Sequence, residues 1–381
     1  MDMKLFYNIS CLFIIMQFIL LGIFLVYHPK GNRTSNRILA AFLFTDALFS
    51  LYIPFFNNLS GFFYEYRVHF FRITEPLRFL LGPLLYFYTV SLTSSDFKLK
   101  KKHLWHALPF ILNYLLLLIF FHFKSYEAKV EILNSNNRFE TKWLYFNFYC
   151  FYSQFFIYLI ACLKKIKNYQ KYIKNYFSSL EKIKLSWLKL IIIAYILNWG
   201  IDLLNNFINI RTVSRDFFLM MAIFSALVMF ILANLMIFKG LLHPYLFIQS
   251  QSHSYNKKYK KSPLTPELKT RYLNRLLDYM EKEKPYLDFN LTLSELSSTS
   301  KIPVHYLSQI INEVLDKNFY TFINEYRIKE AIKMFSHPKC KRKSITDILY
   351  EVGFNSKSTF YLFFQKITGE TPSAFRKRVN A

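Results

Sequence analysis

Glycine is scarce in this chain, with 8 residues in 381, and so are proline (12) and cysteine (4). So little glycine and proline excludes collagen-like and low-complexity chains, and 53% hydrophobic residues exclude a disordered one. The cysteines, Cys11, Cys150, Cys162 and Cys340, stand too far apart for a zinc or redox motif. The first three lie inside apolar runs, so all four read as plain core thiols, with no metal and no disulfide expected. Acidic residues are few as well, 24 against 49 Lys and Arg, which leaves a formal charge of +25. That excess is shared: 26 basic and 11 acidic residues precede Gln249, and 23 and 13 follow, so one partner need not explain both halves. HExxH, a phosphate-binding glycine loop, a nucleophile elbow and a kinase signature are all missing. The chain is therefore not expected to be an enzyme or to carry a cofactor.

What is plentiful is apolar and aromatic, with 43 Phe and 28 Tyr. Seven stretches in the first 249 residues are long enough to cross a hydrocarbon core, which takes roughly 20 helical residues. They are Leu5–Tyr27, Ile38–Phe56, Ile73–Leu92, Leu104–Phe123, Trp143–Leu163, Trp187–Ile208 and Phe217–Phe238. Lys4 precedes the first, but the run is too long for a signal peptide and no small-residue cleavage site follows it, so it reads as an uncleaved span. Seven such helices without a charged face leave little to meet water, which favours a membrane over a soluble core.

Lys and Arg set the orientation. Loops one, three and five hold fourteen, including seven lysines between Lys164 and Lys184 that face the single acid Glu181. Loops two, four and six hold eight, partly balanced by Glu65, Glu127, Glu131, Glu140 and Asp216. The N-terminus is thus expected outside and everything after Phe238 in the cytoplasm. Ionisable residues inside spans are costly unless paired or solvated. Asp46 falls near mid-membrane, and Glu75, Arg78 and Asp202 fall in the outer half. Glu75 and Arg78, three apart, are expected to pair with each other. Together with Asp202 they are the candidate site for a signal of unknown chemistry. Gly82-Pro83 marks a local loosening of the third span.

From 249 to 263 the chain turns polar, QSQSHSYNKKYKKSP, a basic linker suited to anionic headgroups, to DNA phosphates or to plain solvation. The remainder, 264–381, reads as an all-helical domain. Thr265-Pro266 opens a helix to about Lys284. Thr292-Leu-Ser-Glu295 is a capping-box pattern, Lys301-Ile302 a turn, and Pro303 the start of a helix to about Leu315. An amphipathic helix follows over Tyr320–Phe335. Ser344-Ile-Thr-Asp347 caps another short helix, Gly353 supplies the turn, and Ser356 caps a helix to about Thr368. Each short helix, turn and second helix is a helix-turn-helix pattern.

The run LTLSELSSTSKIPVHYLSQIINEVLDKNFYTFINEYRIKEA, then SITDILYEVGFNSKSTFYLFFQKITGETPSAFRKR, resembles the DNA-binding domain of the AraC/XylS family of bacterial transcription regulators. Leu307-Ser308, Arg327 and Ala331 carry the first half of the resemblance. Gly353-Phe354, Ser358, Phe360, Phe364, Gly369, Thr371-Pro372 and Arg376 carry the second. The resemblance implies two recognition helices entering successive major grooves of double-stranded DNA. The first would present His305, Ser308 and Gln309 to base edges, and the second Asn355, Lys357, Ser358, Thr359 and Tyr361. Leu362 stands where the family commonly has a cation. Lys366, Arg376, Lys377 and Arg378 would serve phosphates.

The expected architecture is all-α: a seven-helix transmembrane bundle over 1–248 acting as a sensory module, the linker 249–263, and a cytoplasmic double helix-turn-helix domain over 264–381. The expected function is a transcription regulator tethered to the bacterial inner membrane, with DNA, lipid, a signal molecule and a second copy of the chain as partners. The alternative is a transporter or channel with a regulatory DNA-binding tail, which paired broken helices would favour; one Gly-Pro break is present.

Overall fold

The computed structural model describes residues 3–28, 32–58, 68–94, 97–134, 138–208, scattered positions between 220 and 235, 265–340 and 342–380. The linker 249–263, Lys30, Arg67, Arg211, Arg215 and most of the stretch Phe217–Phe238 lie outside the described residues. Every described element is helical, and the one β feature among them is an isolated antiparallel bridge between Phe177 and Thr292. The chain divides into two compact units. One holds Met1–Ile166 and Leu185–Gln251, the other Lys167–Lys184 and Ser252–Ala381.

The first unit contains α1 (Met3–Tyr27), α2 (Arg33–Asn58), α3 (Arg78–Thr93), α4 (Leu108–Leu117), α5 (Tyr126–Asn134), most of α6 (Arg138–Ile173) and α7 (Ser186–Ile208). Four helical segments are long and apolar enough to cross a membrane: Leu5–Tyr27, Lys101–His122, Phe146–Ile173 and Ser186–Leu204. Of the other three sequence stretches, Ile38–Phe56 lies within α2. Ile73–Leu92 is interrupted, because Glu75–Leu77 is a 3-10 turn and the α-helix starts only at Arg78. Pro76 stands inside that turn, where Leu77 N donates to the Thr74 carbonyl oxygen at 3.1 Å in the i→i−3 spacing. Close approach replaces side-chain bulk at two glycines. A Cβ on Gly22 would sit 2.7 Å from the Phe44 ring, and one on Gly82 2.9 Å from that of Tyr158. Gly82 and Pro83 are both buried in α3, so the loosened turn of the third stretch is a packing position. Of the cysteines, Cys11 and Cys162 are buried, but Cys150 is exposed, since it falls on the outward side of α6.

The second unit contains α8 (Pro266–Lys282), α9 (Leu293–Ser300), α10 (Val304–Gln309), α11 (Phe319–Ser336), α12 (Ile345–Glu351), α13 (Lys357–Thr368) and α14 (Pro372–Asn380). Local chemistry sets most of these boundaries. Thr292 and Glu295 close a reciprocal capping box at α9, and Ser344 and Asp347 close another at α12. Thr265 caps α8, Asn318 caps α11 and Ser356 caps α13. Lys301 ends α9 in the left-handed region, and α10 continues through a π turn, Ile310–Val314.

Two apolar cores share α11. Phe319, Phe322 and Ile323 pack with Leu293, Leu296, Leu307 and Ile310, around the pair α9–α10. Ile328, Ala331 and Phe335 pack with Ile348, Val352, Phe360 and Phe364, around the pair α12–α13. One helix thus holds both pairs. Gly353 is the tightest point, at φ +88°, where a Cβ would lie 2.6 Å from the Tyr286 carbonyl oxygen and 2.7 Å from that of Leu287. Only glycine meets both the positive φ and the lack of space.

Candidate nucleic-acid interface

In each helix pair, the second helix is anchored by apolar residues on one side and opens polar residues on the other. In α10, Leu307 is buried, while His305, Ser308 and Gln309 are half-buried. The His305 ring lies over Tyr306, with centroids 3.9 Å apart. The Gln309 side-chain amide donates to Glu313 Oε2 at 2.8 Å, and Asn312 donates to the Ser308 carbonyl oxygen at 2.8 Å. Reading a base edge with the Gln309 amide therefore requires release from Glu313.

In α13, Phe360, Phe363 and Phe364 turn inward, while Lys357, Ser358, Tyr361 and Leu362 are exposed, Leu362 by 63%. An exposed leucine where the family resemblance calls for a cation leaves this face with less charge and more apolar surface. Lys366 and Lys377 are exposed. Arg378 pairs with Glu370 at 2.6 Å and stacks on Phe375 at 4.9 Å, so its guanidinium is already oriented. Arg376, on α14, is half-buried.

Asn355 and Thr359 are placed differently from the rest of their set. The Asn355 amide donates to Ser179 Oγ at 2.8 Å, and the Thr359 hydroxyl donates to Glu181 Oε1 at 2.6 Å. Both acceptors belong to Lys167–Lys184, a segment that the sequence alone assigns to the N-terminal half. The same segment reaches Arg327, which is 1% exposed. Burial lowers the pKa of that arginine to about 10, opposed by Asp288 and Glu181. The sequence holds one clue to these partners. Glu181 is the single acid in a loop of seven lysines.

The other candidate residues lie in the first unit. Glu75 accepts from Arg78 at 3.1 Å and from Arg72 at 2.8 Å. Arg78 also donates to Asn147 and lies over the Phe151 ring at 4.8 Å. Asp202 accepts from the Tyr152 hydroxyl, and Tyr152 adjoins Phe151 in sequence. The expected pair Glu75–Arg78 is formed, across the junction of a 3-10 turn and an α-helix. Asp202 joins them through α6, by way of Tyr152. Buried Arg78 Nε and Trp199 Nε1 have no hydrogen-bond partner among the described residues. The groups His, Cys, Asp and Glu form no cluster suited to a metal among the described residues.

A family model described as a helix-turn-helix domain matches residues 296–378. An uncharacterized HTH-type transcriptional regulator of Bacillus subtilis, YdeC, is 27% identical over 101 residues, 26% of this chain and 31% of that protein. The melibiose operon regulatory protein of Escherichia coli K12 is 28% identical over 106 residues, 28% of this chain and 33% of that protein. An uncharacterized HTH-type transcriptional regulator of Staphylococcus aureus strain COL is 32% identical over 104 residues, 27% of this chain and 13% of that protein. The chain thus spans about a third or less of the length of these relatives. No solved structure matches. The C-terminal domain is a helix-turn-helix domain of AraC type. The family match does not reach the first unit.

Proposed function

We propose that the chain is a membrane-tethered, sequence-specific DNA-binding transcription regulator. One observation carries the reading. Residues 296–378, matched by the helix-turn-helix family, fold as two helix pairs whose second helices, α10 and α13, keep a polar face outward from two apolar cores joined by α11. In this reading α10 and α13 enter successive major grooves. His305, Ser308 and Gln309, with Asn355, Lys357, Ser358, Thr359 and Tyr361, read base edges. Lys366, Arg376, Lys377 and Arg378 hold phosphates and set the register.

The tether rests on the first unit. Its α1 presents Leu12, Phe13, Met16 and Leu20 outward, a contiguous apolar surface that suits lipid better than water. Seven spans rest on the apolar stretches of the sequence, and an external N-terminus and a cytoplasmic C-terminus on the loop charges. Glu75, Arg78 and Asp202, drawn around Asn147 and Tyr152, are the proposed signal site, with the buried Arg78 Nε as a donor left over for a ligand.

The decisive experiment is duplex-DNA retardation by the detergent-solubilised chain across a salt series. Binding is expected to weaken by about 0.9 log unit per log unit of salt for each phosphate neutralised. A folded chain that retards no genomic duplex at low salt ends the reading. Alkaline phosphatase fused after Ala381 is expected to be inactive, and activity there refutes the orientation.

A further inference from the structure

Within Lys167–Lys184, the stretch Lys174–Glu181 that follows the end of α6 is joined to the second unit in two parts. The first part is anchored by main chain. The Tyr176 carbonyl oxygen accepts from Leu293 N at 2.9 Å, Ser178 N donates to the Leu291 carbonyl oxygen at 3.2 Å, and Tyr320 N donates to the Lys174 carbonyl oxygen at 2.8 Å. Phe177 and Thr292 form the isolated bridge between the first two of these bonds. Buried Arg327 and Asn324 both donate to the Ser178 carbonyl oxygen, at 3.2 and 3.3 Å. Such an anchor is costly to undo, because each buried group it satisfies would be left without a partner.

The second part, Ser179 to Glu181, is of another kind. Its polar contacts are made by half-buried side chains, on either side of buried Leu180. Ser179 Oγ accepts from Asn355 and donates to Glu181 Oε2 at 2.8 Å, while Glu181 Oε1 accepts from Thr359 at 2.6 Å. A carboxylate is an acceptor without donors and carries negative charge, as a DNA phosphate does. It sits at the first turn of α13, where the helix dipole favours an anion. Burial works against the charged carboxyl, but hydrogen bonds from Thr359 and Ser179, with Lys184 nearby, hold its pKa below the usual glutamate range. The neighbouring Leu293 N–H, at the first turn of α9, is likewise occupied, by Tyr176.

We propose that the tip Ser179–Glu181 is an intrachain competitor of DNA, which occupies Asn355 and Thr359 when seated and must withdraw for α13 to engage the groove, while the anchor stays bound. The inference rests on the reading of α13 as a groove-entering helix. Its occupant is already part of the chain. Four residues lie between Glu181 and Ser186, the first residue of α7, and α6 ends at Ile173 on the other side. A signal that displaces either helix is therefore delivered to the tip by covalent connection.

Two measurements on the full chain in detergent test this, with a mixed-sequence duplex at low salt as probe. Glu181→Ala is expected to bind the duplex on the order of tenfold more tightly, the factor that corresponds to one charge-assisted hydrogen bond. Asp278→Asn, an equal change of charge on α8, is expected to leave affinity near that of the unsubstituted chain. In a Cys340→Ser background, Ser179→Cys with Asn355→Cys is expected to crosslink through a disulfide and, when locked, to bind the duplex more weakly than Asn355→Cys alone, the level to which reduction returns it. Saturating duplex is expected to slow the crosslink.

If the locked and reduced forms bind equally, or Glu181→Ala gains nothing beyond Asp278→Asn, competition is overturned and the DNA-binding reading stands. If the unsubstituted chain retards no duplex at all, the DNA-binding reading itself falls and takes the competition with it.

Discussion

Arg327 binds Ser178 twice, through Nη1 to its carbonyl oxygen at 3.2 Å and through Nη2 to its hydroxyl at 3.1 Å, across 149 residues of chain. The same guanidinium donates from Nε to the Tyr286 carbonyl oxygen and from Nη2 to that of Asp288, both at 2.7 Å. A single buried side chain therefore ties together α11, the turn before α9 and the segment between α6 and α7.

Arg327→Ala leaves those carbonyls buried and unpaired, and is expected to destabilise the second unit by about 3 kcal/mol or more. Arg327→Lys is expected to recover little of this, because an ammonium cannot reproduce the planar fork. The urea midpoint for proteolysis of the C-terminal unit in the solubilised chain measures both. A midpoint unchanged in Arg327→Ala refutes the role.

At Gly353, positive φ and carbonyl oxygens at 2.6 and 2.7 Å act together, so Gly353→Ala is expected to cost about 2 kcal/mol or more and to weaken duplex binding. Gly369, at φ +79° with nothing within 4 Å of its would-be Cβ, offers the contrast. Gly369→Asn is expected to cost less than half as much, since asparagine tolerates the left-handed region. Thermal midpoints of the two variants, read side by side, decide it.

The seated tip is expected to loosen in acid. The folded-state pKa of Glu181 lies below its ordinary value, so its ionised form favours the seated arrangement above the ordinary glutamate range. That contribution disappears as pH falls through the depressed value. Proteolysis at Lys182 is expected to speed up on acidification in the unsubstituted chain, and to be fast and flat across the same range in Glu181→Gln. Equal pH profiles for the two would remove Glu181 from the account.

Asp202→Asn keeps the size of the side chain and removes its charge. If the cluster around Arg78 receives the signal, this variant silences or locks the promoter response without lowering the amount of protein in the membrane, and Tyr152→Phe, which removes the donor to Asp202, does the same. Coupling of 1–3 kcal/mol, or about 5- to 150-fold in promoter occupancy, is the range at stake. A fall in protein amount with an unaltered response per molecule would make both residues structural.

Much of the second unit was legible because its signals are local. Thr292 with Glu295, Ser344 with Asp347 and Ser356 with Thr359 satisfy helix ends within three residues, so spacing alone announces them. The pair Glu75–Arg78 was legible for the same reason, although it falls across the junction of a 3-10 turn and an α-helix rather than within a helix. The partner of Asp202 was not, since Tyr152 is 50 residues away and tyrosine is abundant throughout the span.

By itself, then, the sequence determined the all-helical class, the apolar first half, the capped helix pairs and the glycine at 353, because caps, turns and hydropathy are properties of neighbouring residues. Only the tertiary structure decided where Lys174–Glu181 goes. Its anchor is made of main-chain groups, which every residue possesses and no pattern advertises. Its tip meets Asn355 and Thr359 over 176 and 178 residues, contacts that exist only once both helix pairs have closed around α11.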